Sequence, residues 1–181
     1  MSDGLNLKEI SKRMKESGKH GSIIWSRQKE RHFVSNRHFL LKVEEVPSDI
    51  LISLFSVFLK VPIVGETLIC NLGKIEEPEN IKPIDFDKIY NPEKQCVNGQ
   101  VTPFLKETDK KLKMRVIHFP DCFKFINEQY MKMTTEKDAK STTDPVAPVY
   151  FANDQLMLLP FRLISVPGDS AVLKLIGDDV E

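Results

Sequence analysis

Six lysines are the residues whose type and spacing point to chemistry in this sequence. Lys8, Lys12, Lys15 and Lys19 recur at i, i+4, i+7 and i+11, and Lys124 and Lys132 stand either side of Glu128 at steps of four. At such steps side chains share one helix face. Flexible ammonium groups in that arrangement neutralise phosphates without reading bases, which suits duplex DNA. The same pattern also describes a solvated helix face.

Other chemistries lack their signatures. The histidines (His20, His32, His38, His118) and the cysteines (Cys70, Cys96, Cys122) show no CxxC, HxH or HExxH spacing. His32 and His38 can approach across a hairpin, but a polar surface role is expected for them. No cysteine–histidine arrangement marks a nucleophile with its base. Glu44-Glu45 and Glu76-Glu77 are adjacent pairs, and neighbours on a strand point to opposite faces. Gly65, Gly73 and Gly99 stand alone, so no glycine-rich phosphate loop is present. A non-enzymatic protein with no metal and no cofactor is expected.

The elements that would position the lysines follow from periodicity. Leu7, Ile10 and Met14 give an apolar stripe and predict a helix over 5–18, capped by Asn6 or Ser2-Asp3 and ended by Gly18. Residues 22–26, 31–35 and 39–43 read as strands, with turns at 28–30 and at Asn36-Arg37. After Pro47, with Ser48 or Asp49 as the cap, an apolar helix covers 50–59 and ends at Pro62. It is expected to lie in the core or against another subunit. Ile63-Val64 and 66–72 are expected to pair as strands around Gly65. Residues 73–110, with four prolines and many charges, read as a long surface excursion rather than a second domain. A strand at 112–119 leads to a helix over 121–133, with Pro120 at its first position and Lys124 and Lys132 on its polar side. A polar loop, 134–148, separates that helix from a hairpin whose turn is Asn153-Asp154 and whose second strand is the apolar run Leu156 to Leu159. Pro160 should end the pairing or sit at an edge, with 161–163 carrying the strand on. One α+β domain spans 1–181, with a C-terminal extension at 164–181.

Composition sets the outer limits. The chain has 181 residues, 41% hydrophobic and 29% charged, so it can build a real core. Its formal net charge of zero hides an asymmetry. Residues 1–43 hold ten Lys/Arg against four Asp/Glu, whereas the remainder is net acidic. A basic face for an anionic partner is therefore available. No signal-peptide pattern opens the sequence and no apolar run nears the ~18 residues that span a bilayer, so a cytoplasmic protein with no membrane partner is expected. Three cysteines without short spacing fit free thiols.

Three stretches carry a resemblance. LMLLPFRL, ending at Leu163, resembles the closing strand of a bacterial β-type DNA polymerase sliding clamp, where an apolar run is followed by Pro, an apolar residue, Arg and Leu. RVIHFPDCFKFINEQYMKM is similar to the late clamp stretch in which a strand leads into an Asn-Pro-x-Tyr-Leu helix. HFVSNRHFLLKV is similar to the stretch ending in Thr-Asp-Gly-His-Arg-Leu, with Asn36, His38 and Leu40 near those positions and Arg37 in place of the glycine. The match covers roughly 5–43 and 112–163.

The resemblance implies an antiparallel sheet with two basic helices, 5–18 and 121–133, packed on one face. It also implies a bacterial or phage processivity factor that holds duplex DNA and meets a polymerase or another replication protein. One such module makes a ring only as a homo-oligomer. Two alternatives remain open. One is a small phage-type interaction protein that mimics or inhibits a host replication or defence protein without binding DNA. The other is a structural α+β protein.

Overall fold

A computed structural model describes residues 4–77, 79, 81–82, 84–89, 96–108 and 110–161. The fold is α+β. Its centre is one antiparallel sheet of eleven strands in the order β5-β4-β1-β2-β3-β11-β10-β9-β6-β7-β8. The strands are β1 (Ser22–Gln28), β2 (Arg31–Ser35), β3 (Phe39–Val43), β4 (Thr67–Asn71), β5 (Lys74–Ile75), β6 (Val97–Glu107), β7 (Lys113–Phe119), β8 (Cys122–Asn127), β9 (Asp138–Ser141), β10 (Val149–Phe151) and β11 (Leu156–Leu158). The helices are α1 (Leu7–His20), α2 (Ser48–Phe58) and the one-turn α3 (Phe86–Ile89) and α4 (Glu128–Met131).

Local turn chemistry builds the two hairpin regions. Lys29, at φ 54, sits in the β1–β2 turn. At the β2–β3 turn Asn36 Oδ1 accepts from the amides of His38 and Phe39, while Arg37 takes φ 72. At the β10–β11 turn Ala152, Asn153 and Asp154 all have positive φ, which Asn and Asp tolerate best. Leu156, Met157 and Leu158 are buried on both faces, and β11 pairs with β3 as well as with β10. The strand stops there. Phe161 donates its amide to Phe125 of β8 instead, and Arg162 and Leu163 lie outside the described residues, as does the extension 164–181. The chain after β11 thus meets β8, the far edge of the sheet, through this one bond.

The two faces are covered differently. Ile23 and Trp25 of β1, Val34 of β2, Leu41 of β3 and Leu156 of β11 share one core with Ile10 and Met14 of α1 and Ile50, Leu54 and Phe58 of α2. Helices α1 and α2 therefore lie together on this face. On the other face Phe33, Leu40, Tyr150 and Met157 pack against Phe86 of α3. Strands buried on both faces read as unbroken apolar runs, as FLL and LML do.

Several expectations are corrected. The helix expected over 121–133 is mostly a strand. Pro120 and Asp121 form the tight turn between β7 and β8, and only Glu128–Met131 is helical. The partner of α1 on the helical face is α2. Gly18 does not end α1, which runs on to His20. A Cβ at Gly18 would stand 2.8 Å from both Val57 methyls, so the glycine lets α2 approach. The residue capping α2 is Pro47, which offers no side-chain cap, rather than Ser48 or Asp49, and the helix ends at a left-handed Leu59 before Pro62 is reached. Residues 63–66 make a turn, and β4 pairs with β1 and β5. The stretch 73–110 contains β6, the longest strand, which pairs with β7 and β9. The stretch 134–148 contains β9.

Candidate functional site

Helix α1 begins at Asn6, whose Oδ1 accepts from the amide of Glu9. Its core side carries Ile10 and Met14. One flank faces α4, where Arg13 donates to Gln129 at 2.8 Å while also pairing with Glu9 and Glu16. The other flank faces α2. Ser11 Oγ donates to the Asp49 carbonyl near one end, and Gly18 meets Val57 near the other, so the two helices run side by side in the same direction. What remains is the solvent side, and there Lys8, Lys12, Lys15 and Lys19 are all exposed.

Helix α2 presents something different beside them. Ile52 (64% exposed), Phe55 (49%) and Leu59 (71%) stand at i, i+3 and i+7 and make an apolar stripe open to solvent. Val61, Ile63 and Val64, past the helix, are exposed as well. No Lys or Arg lies within Ser48–Phe58. Between the helices runs a groove of about 610 Å³, with Lys8, Lys12 and Lys15 on one wall, Ile52 on the other, and Glu16 and Asp49 among its residues.

The two remaining candidate lysines separate. Lys132 is exposed at the end of α4, next to Met133, whose carbonyl accepts from Asn6. That brings it to the N-terminal end of the α1 stripe. Lys124 is fully buried on β8. Its Nζ donates to Ser141 Oγ at 2.5 Å, to the Asp144 carbonyl at 2.6 Å and to the Ala147 carbonyl at 3.1 Å, and lies 5.4 Å from the Phe119 ring centre. Burial pushes its pKa below the ordinary lysine range, while the nearby Cys122 and Asp144 act the other way. Three oxygen acceptors use all three of its donors. Lys124 ties the 142–148 loop to β8 and is not placed to meet a phosphate.

Of the two histidines expected at the surface, His38 is exposed and His32 is not. His32 is buried, and its Nδ1 accepts from Trp25 Nε1 at 3.2 Å. His38 stacks on Tyr130 at 5.2 Å. Among the described residues no group of three or more His, Cys, Asp or Glu side chains is arranged to hold a metal. None of the three cysteines is in a disulfide, and burial raises the pKa of each thiol.

A second cleft, of about 830 Å³, opens at the start of α2. It mixes Arg31 and Lys42 with Glu44, Glu45 and Asp49, and Gln155 Oε1 there is buried without a hydrogen-bond partner. Among the described residues no helix is long and apolar enough to cross a membrane. No protein-family model, curated protein or solved structure matches the chain.

The α2 stripe is a surface feature that periodicity did not separate out. Ile50, Leu54 and Phe58 are buried, while Ile52, Phe55 and Leu59 are not. A helix apolar all round carries two apolar faces, and the sequence signals that at least one of them needs a partner.

Proposed function

We propose that this chain is a non-catalytic interaction protein whose working surface is the outer face of α1 and α2. The observation that carries this is the exposed Ile52–Phe55–Leu59 stripe of α2, whose Ile52 shares a groove with Lys8, Lys12 and Lys15 of α1. Covering a side chain of this size contributes about 1.5–3 kcal/mol, so a partner seated here gains from the apolar stripe and meets charge at its border. The resemblance to sliding clamps narrows the partner class to proteins of DNA replication, and a small chain of this kind acts by mimicking or blocking a host component. The chain works without metal or cofactor.

A second reading has its own observation. Lys8, Lys12, Lys15 and Lys19 remain exposed in one row, with Lys132 near its end. That row suits the backbone of duplex DNA, and a homo-oligomeric clamp-like processivity factor would use it. Against this, a DNA-lining pair of helices needs both to be basic, and α2 has no cation within its span.

Light scattering after size exclusion, together with a labelled short duplex titrated at low and moderate salt, separates the two. The interaction reading expects a monomer that ignores duplex even at low salt. A multimer whose duplex affinity falls steeply with salt, and falls again in Lys8→Glu/Lys12→Glu, overturns it in favour of the clamp-like reading.

A further inference from the structure

We draw no further inference here: the strongest candidate, the apolar face that Ile52, Phe55 and Leu59 leave open on α2, belongs to the surface already described, and nothing in the structure shows what covers it.

Discussion

His32 and Lys124 are buried polar side chains on strands, and each is satisfied by partners that only the folded sheet supplies. His32 accepts from Trp25, and that bond requires the neutral ring. Burial, and then the neighbouring Arg27, lowers its pKa from the ordinary value of about 6.5. Well above that value the ring is neutral in the folded and unfolded chain alike, and its contribution is complete. As the pH falls through it, the unfolded chain takes up a proton that the folded chain resists, so stability declines until the lowered folded value is passed. The urea midpoint followed by Trp25 fluorescence should therefore be lower at pH 5.5 than at 7.5. His32→Asn keeps an acceptor, should cost about 1 kcal/mol at pH 7.5, and should flatten the decline; an unchanged decline assigns the titration elsewhere. Lys124 shows why sequence reasoning placed a helix there. Lys124, Glu128 and Lys132 do fall at helical steps, but Phe123 and Phe125 alternate with Lys124 and Ile126 at a period of two, and the period of two prevails. Proline before an acidic residue starts a helix or makes a turn, and only the pairing of β8 with β7 decides which.

Helices α1 and α2 divide the labour of the candidate surface, one supplying charge and the other apolar area. Gly18 holds them at their spacing. Helix propensity alone makes Gly18→Ala favourable by about 1 kcal/mol, but the new methyl would press on both Val57 methyls. We expect Gly18→Ala to lose about 1–3 kcal/mol through overpacking, and Val57→Ala in the same chain to recover part of the loss. A Gly18→Ala protein as stable as the parent would show that the helices separate freely. Among the elements, α1, the β1–β2–β3 meander and the closing hairpin were legible because their signals are local: a cap at Asn6, turn residues at Asn36-Arg37 and Asn153-Asp154. Strands β6 and β9 were not. Pro103 within β6 coincides with an irregular register between Val101 and Leu105, where Arg115 donates to the Thr102 and Pro103 carbonyls and pairs with Glu128. A proline at a bulge looks like a loop until its strand partners are known.

At the scale of the molecule, the sheet is covered on one side by two helices and on the other by a short segment from the middle of the chain. Phe86 stacks on Phe33 with ring centres 5.2 Å apart and interplanar angle 10°, and Gln28 Nε2 holds the Ile84 carbonyl beside it. Phe86→Ala should cost about 3–5 kcal/mol and raise binding of a hydrophobic dye by baring Leu40 and Met157. A variant with neither change would show that this cover is dispensable. The charged, proline-rich composition of 73–110 hid that role, because two apolar anchors, Ile84 and Phe86, do most of the covering. Strand β11 has a consequence for how the protein is made. It pairs on one side with β3 and on the other with β10, so among the described residues the strand pairing of the two halves of the sheet runs through it. During synthesis on the ribosome β3 emerges early and must wait for more than a hundred residues before its neighbour appears. Until Leu156, Met157 and Leu158 leave the exit tunnel, β3 and β10 each keep a bare hydrogen-bonding edge, and the nascent chain is most prone to pair with another copy of itself.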